Sequence, residues 1–383
     1  MQSPQSNLRA IKLHSMRETP LILWYFQRLN RRKIGEKYSW QFKMFYTMLH
    51  VKMFSTWGQP AWNEINFVNF TTNTSKNLQR LDKSFHQRLN VKDPINKIWF
   101  EQWLIGITDG DGTFSITKSG EKWNLTYKLS QGAYNTRLLY YIKSQLGVGK
   151  VNYESTGIVN LRIRDRKALN EVIFPIFDKY PLLTSKYFHY LKFKKAYSIL
   201  VDPYKSIYDK NLDLEVLRKE TPNNDYVSPA WEKINYKFGE ELDYEKSILV
   251  ISKPWIIGFT EAEGSFYITK RDLMRYSHGF GLSQKSDKQV LEAIGYILHI
   301  KNPVRSRLSL KNPHYLLDTM NSRSLNNVIK YFKDTMKGIK SVEYKIWSRT
   351  FNKDLTYQEL EKIQQRLRNL RAIKPDLSLW KDK

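Results

Sequence analysis

Leu104-Ile105-Gly106-Ile107-Thr108-Asp109-Gly110-Asp111-Gly112 is one nonapeptide of this chain, and Ile256-Ile257-Gly258-Phe259-Thr260-Glu261-Ala262-Glu263-Gly264 is a second version of it, 152 positions later. Downstream, Leu129-Ser130-Gln131 returns as Leu282-Ser283-Gln284 after 153 positions, and Lys186 returns as Lys340 after 154. Landmarks whose spacing drifts by one residue at each step describe a duplicated domain, whereas a solenoid repeats every ~20–50 residues. Glycine inside an apolar helix costs about 1 kcal/mol against alanine. Gly106 and Gly258 both sit in such a helix, and close approach of the two helices at these glycines offsets that cost. Their C-terminal ends then lie side by side, so Asp111 and Glu263 meet near a pseudo-twofold axis, with Asp109 and Glu261 adding negative charge one step earlier. A helix C-terminus is already the negative end of the macrodipole, so a divalent cation resolves the conflict. The chain has no cysteine; oxygen ligands favour Mg²⁺, with Ca²⁺ or Mn²⁺ as substitutes.

Each copy reads as helix, two strands, helix, two strands, helix, helix. In the first copy, residues 98–108 are apolar nearly all round, which predicts a buried helix. Residues 113–117 and 123–131 alternate as strands do, and 134–145 has helical spacing. Val159, Leu161 and Ile163 share one face of a strand whose other face carries Asn160, Arg162 and Arg164. The sheet therefore has an apolar face covered by helices and a polar, basic face left open as a ligand surface. Gly147-Val148-Gly149-Lys150 lacks full phosphate-loop spacing and follows a helix instead of opening one, so it reads as a turn.

The chain has 383 residues, 63 Lys+Arg and 37 Asp+Glu, a formal charge of +26. With 41% hydrophobic and 14% aromatic residues it is a folded chain, and its polyanionic partner is most simply a nucleic acid. Its seven histidines show no paired zinc-ligand spacing, and no apolar run reaches the ~20 residues of a membrane span. Five regions are expected. Residues 1–95 form a basic, aromatic extension with 15 Lys+Arg and 5 Asp+Glu; residues 96–199 and 254–350 are the two copies; residues 200–253 are a linker with acidic clusters; and residues 351–383 are a helical tail that starts with a Thr356/Glu359 capping box. A smaller repeat, Pro60-Ala61-Trp62 with Ile65 and Asn66 against Pro229-Ala230-Trp231 with Ile234 and Asn235, reads as a short helix clamping each copy.

The paired nonapeptides, each followed by an alternating strand, resemble the motifs of the LAGLIDADG family of homing endonucleases and group I intron maturases, over about residues 96–350. The second motif departs from the consensus by carrying Glu for Asp at two positions. The resemblance implies an α+β fold of duplicated αββαββα halves in one chain, a monomer with an internal pseudo-dimer, whose two saddle-shaped antiparallel sheets straddle duplex DNA. It places the family's metal ligands on Asp111 and Glu263, its strand-end polar residue on Gln131 and Gln284, and its active-site lysine on Lys186 and Lys340. Taken alone, the lysines also read as surface residues and the glutamines as ordinary strand polars. Arg162, Arg164, Arg305 and Arg307, with Arg31, Arg32 and Lys33 of the extension, are the candidate nucleic-acid contacts.

Two functions share this scaffold: site-specific cleavage of double-stranded DNA, and assistance to group I intron RNA splicing, with or without a helper protein. Lys/Asn/Tyr-rich composition and the long basic extension resemble mitochondrial cytochrome b intron maturases of fungi. The resemblance therefore leads with a maturase on a latent nuclease core, the active endonuclease being the alternative, and implies the mitochondrial matrix. A transcription factor derived from such a nuclease is disfavoured because both acids are present.

Overall fold

In a computed structural model the described residues are 94–372, except 274, 309 and 310. The extension, with Arg31, Arg32, Lys33 and the first Pro-Ala-Trp segment, lies outside them, apart from its last two positions.

The first half runs α1 (Pro94–Asp111), β1 (Gly112–Ser119), β2 (Lys122–Gly132), α2 (Thr136–Leu146), β3 (Lys150–Tyr153) and β4 (Ile158–Ile163). Short helical pieces from Arg166 to Lys179 follow, then α3 (Lys186–Val201). The second half repeats this order: α4 (Lys253–Glu263), β5 (Gly264–Asp272), β6 (Arg275–Gln284), α5 (Lys288–Ile297), β7 (Arg305–Arg307), β8 (His314–Thr319), α6 (Ser322–Phe332) and α7 (Lys340–Phe351). Each half contains one four-stranded antiparallel sheet, ordered β1-β2-β4-β3 and β5-β6-β8-β7. The duplicated αββαββα layout and its two antiparallel sheets are therefore present.

Strand alternation set the sheet faces as expected, with one difference. Val159, Leu161 and Ile163 are buried in the core, but so is Asn160 on the opposite face, because Ser130 donates to its Oδ1 at 2.6 Å and it donates to Glu154 at 2.6 Å. The Gly147 turn is real: Gly147 has φ 71°, and its amide closes α2 on the Lys143 carbonyl.

Residues 200–253 are more than a tether. A helix, Ile207–Lys219, buries Leu214 and Leu217, and Asn211 accepts the Trp123 indole N–H at 2.7 Å. The second Pro-Ala-Trp segment forms the short helix expected of it, Pro229–Ile234, with Trp231 fully buried. The capping box forms as read: Glu359 accepts the Thr356 amide at 2.8 Å, and Thr356 Oγ1 accepts the Glu359 amide at 3.3 Å. It opens α8 (Tyr357–Ala372), which packs on β5 and β6 and on the Ala133–Asn135 turn of the first half. No helix among the described residues is long and apolar enough to cross a membrane.

Candidate active site

The two motif helices, α1 and α4, pack against each other at their glycines. A Cβ on Gly106 would collide with the Trp255 carbonyl and lie 2.9 Å from the Phe259 nitrogen; one on Gly258 would collide with the Trp103 carbonyl and lie 2.9 Å from the Ile107 nitrogen. No side chain fits at either crossing point. The same crossing brings the motif ends together, since a Cβ on Gly110 would lie 3.3 Å from Glu263 Cγ. Asp111 and Glu263 thus face each other from two halves. Burial raises the Asp111 carboxyl, opposed by Lys186, the Gln131 bond and Lys340. Burial, then the charge of Asp111, pushes Glu263 up to about 7.

The other predicted residues gather around these acids, but crosswise. A cavity of about 160 Å³ is lined by Asp111 and Gln131 of the first half together with Lys340 of the second. A second cavity, about 420 Å³, is lined by Glu263 and Gln284 of the second half together with Lys186 of the first. Each acid therefore shares its cavity with the lysine of the other copy, which the linear repeat did not reveal. Gln131 Nε2 donates to Asp111, whereas among the described residues no hydrogen bond joins Gln284 to Glu263. Lys186 donates to the carbonyls of Gly110 and, at 3.2 Å, Thr108 at the end of α1. Burial makes both ammonium groups easier to deprotonate than a free lysine.

Asp109 and Glu261 act on the charge of Lys186 and Lys340 respectively, and they also hold the chain in place. Asp109 is fully buried, and its oxygens accept the amides of Leu183 (2.9 Å) and Thr184 (3.1 Å) and the indole N–H of Trp255 (2.8 Å). Glu261 accepts the amides of Lys337 and, at 3.0 Å, Gly338. Each first acid of the motif thus anchors the loop that leads into its own half's lysine helix.

A further pair escaped the sequence reading. Asn135 Oδ1 accepts the Ile339 amide at 2.8 Å, and Asp287 accepts the Ser185 amide at 2.8 Å and hydroxyl at 2.9 Å. Ile339 and Ser185 immediately precede Lys340 and Lys186, so each half holds the start of the other's lysine helix. Asn135 Nδ2 also donates to Gln131 Oε1 at 2.8 Å, which fixes the Gln131 amide with its nitrogen toward Asp111. Asp287 adopts a left-handed φ of 62° to do this, a conformation that favours Asn, Asp and Gly. The spacing of polar residues just after β2 and β6 was the available signal, obscured because one is Asn and the other Asp.

On the open sheet faces, three of the four described candidate arginines already have partners. Arg162 pairs with Glu154 at 2.5 Å, Arg164 donates to Thr126 at 3.2 Å, and Arg305 grips Asp318 at 2.5 and 2.6 Å. Arg307 is exposed. Strand register shows what single-strand reading missed: Lys128, Arg162 and Lys150 stand opposite one another across β2, β4 and β3. Glu154 neutralises the middle of this row, and Lys128 and Lys150 flank it from the two neighbouring strands.

Comparison with known proteins agrees with this geometry. The LAGLIDADG endonuclease domain profile matches residues 104–197 and 256–351. The chain is 38% identical over 285 residues to the probable intron-encoded endonuclease Cox1-I1b of Schizosaccharomyces pombe, covering 72% of this chain and 70% of that protein. It is 30% identical to the uncharacterized mitochondrial protein RF1 of Saccharomyces cerevisiae, covering 74% of this chain and 56% of that one. The homing endonuclease I-GzeII, crystallised with its DNA target, shares the fold with a TM-score of 0.55 at 23% identity, over 69% of this chain and 97% of its own. The meganuclease I-SmaMI, bound to uncleavable DNA, does so at 0.55 and 19%, over 71% and 97%. With both motif helices crossing at their glycines and both sheets in matching order, this chain belongs to the LAGLIDADG endonuclease family.

Proposed function

We propose that this chain is an intron-encoded endonuclease that hydrolyses both strands of a specific duplex DNA site. The observation that carries this is the pair of crossed cavities: two acids side by side, each with one glutamine and one lysine. Two strands need two phosphodiester cuts, and a pseudo-twofold pair of sites matches that demand.

The donor set suits a divalent cation, Mg²⁺ first. Asp111 and Glu263 offer oxygen only, and no cluster of three or more His, Cys, Asp or Glu among the described residues forms a closed cage. Mg²⁺ is held by one or two carboxylates, completed by water and substrate phosphate, and the burial and the Asp111 charge that together raise Glu263 are what such an ion offsets. When bound, it supplies charge that favours hydroxide over water and stabilises the leaving oxygen. The remaining tasks fall to the chain's own groups. Gln131, its amide fixed by Asn135, orients a water on the Asp111 side. Lys340 and Lys186 put positive charge beside the scissile phosphates, where charge builds in the transition state and where a preorganised cation acts with little screening.

A maturase role is the second reading, and it rests on the basic extension together with the +26 charge. It requires the protein to hold folded intron RNA more tightly than unfolded RNA. The relatives' names point to intron-encoded, mitochondrial origins, so we assign the protein to the mitochondrial matrix. Incubating the purified protein and Mg²⁺ with a duplex spanning the intron insertion site, and in parallel with the intron RNA, tests both readings. Site-specific cutting of the duplex supports the nuclease; faster splicing without cutting makes the maturase the sole function.

A further inference from the structure

The two sites are not chemically alike, and the difference comes from a helix beyond the matched repeats. Three residues after Lys186 stands His189, and three residues after Lys340 stands Glu343. His189 lines the cavity of Glu263, Gln284 and Lys186. Glu343 lines the cavity of Asp111, Gln131 and Lys340, and so does Arg371 from the last turn of α8. Arg371 grips Glu343 with both ends of its fork, Nε to Oε1 at 2.8 Å and Nη2 to Oε2 at 3.1 Å. The Glu343 side chain is 2% exposed and the Arg371 side chain 45%. The helix that follows α3, Ile207–Lys219, contributes no residue to the lining of the other cavity.

The geometry matters because Lys340 is the next cation. It is buried and, among the described residues, its ammonium donates no hydrogen bond, although Glu343 is the strongest anionic influence on it. A buried carboxylate does not stay unpaired. With both oxygens taken by Arg371, Glu343 has no remaining need for the lysine. Fork-shaped bidentate pairing is what arginine does and lysine cannot. Helix α8 is fixed well enough to serve: Gln364 donates to the Ile268 carbonyl at 2.7 Å, Leu367 is buried, and Tyr276 donates to Glu361 at 3.2 Å.

We propose that Arg371 is a positioning residue for one of the two sites: by occupying Glu343 it leaves Lys340 free to face the phosphate beside Asp111, so that cutting of one DNA strand depends on the C-terminal helix and cutting of the other does not. This rests on the nuclease reading above. The test uses the full chain and a duplex labelled separately on each strand, under single-turnover conditions with protein in excess. Arg371→Gln slows one strand by roughly tenfold or more, as loss of an outer partner does, and nicked duplex accumulates while duplex affinity is unchanged. Removing the carboxylate as well, in the double variant E343Q/R371Q, restores that strand's rate. The double variant removes the acid and the guanidinium together and leaves no buried carboxylate without its partner, so it also serves should Arg371→Gln alone melt early. Arg371→Lys, which keeps charge but not the fork, falls between. Equal slowing of both strands, no slowing of either, or failure of the double variant to recover overturns the inference while leaving the nuclease reading standing. Wild-type protein that cuts neither strand overturns both.

Discussion

Asn135 Oδ1 accepts the amide proton of Ile339 at 2.8 Å across 204 positions of chain. That bond, with its counterpart from Ser185 to Asp287 at 2.8 Å, stitches each half to the start of the other's lysine helix. Residues of both halves therefore line each cavity, and neither half holds the start of its own lysine helix alone.

Asn135→Ala leaves the Ile339 amide without its acceptor and the Gln131 amide free to rotate. The expected outcome is cleavage slowed roughly 10- to 100-fold, with duplex affinity close to wild type. Single-turnover kinetics and equilibrium binding, measured together, check it; a parallel loss of both indicates a folding defect.

Gly106→Ala inserts a methyl group against the Trp255 carbonyl, which belongs to backbone and cannot swing aside. Overpacking of this kind destabilises by about 1–3 kcal/mol or more. Chemical denaturation of Gly106→Ala and Gly258→Ala measures it, and an unchanged midpoint contradicts the close crossing.

His278 is buried against Trp347 and Phe351, shares a 3.0 Å hydrogen bond with Thr350, and is pushed down to about 4 by burial. An unfolded histidine titrates near ~6.5. Between those values the unfolded chain binds the extra proton, so this group's contribution to stability is full above the unfolded value and declines as pH falls toward the folded one. Asp287, raised to about 6 by burial, acts in the opposite sense. The comparison is therefore between wild type and His278→Gln: urea midpoints at neutral pH and near pH 5 converge if His278 carries this dependence, and stay parallel if it does not.

The row of Lys128, Arg162 and Lys150 predicts salt-sensitive duplex binding. Neutralising Lys128 and Lys150 lowers the slope of log affinity against log salt by about one for each phosphate left without its cation. Binding titrations over a salt series check it, and an unchanged slope removes this row from the interface.

The sequence made some of this legible and hid the rest for physical reasons. Gly106 and Gly258 stood out because glycine is anomalous in an apolar helix, and the anomaly led directly to the helix crossing and to Asp111 beside Glu263. Gln131 and Lys186 stood out as repeat landmarks because their copies recur at matching spacing, and the family resemblance placed them at the site. Which lysine lines which acid's cavity depends on how α1 and α4 cross, a three-dimensional fact with no trace in linear spacing, and Lys186 acts electrostatically on both Asp111 and Glu263. Asp109 reads like Asp111, yet burial against the Leu183–Thr184 amides gives it an anchoring role. Arg162 and Arg305 looked free because their partners, Glu154 and Asp318, come from pairings that one strand cannot show. Arg371 lies beyond the matched repeats and had nothing to be compared with.

Strand-resolved cleavage by the double variant D111N/E263Q is the measurement that tests the account most directly. Both substitutions keep the side-chain shape and remove the charge, and thermal melting alongside confirms that the helix crossing survives. With Mg²⁺ and the duplex spanning the intron insertion site, wild type cuts both strands. The variant loses cleavage of both by more than roughly 100-fold while binding the duplex as before. A stably folded D111N/E263Q protein that still cuts either strand at the wild-type rate would show that the chemistry lies outside the crossed sites.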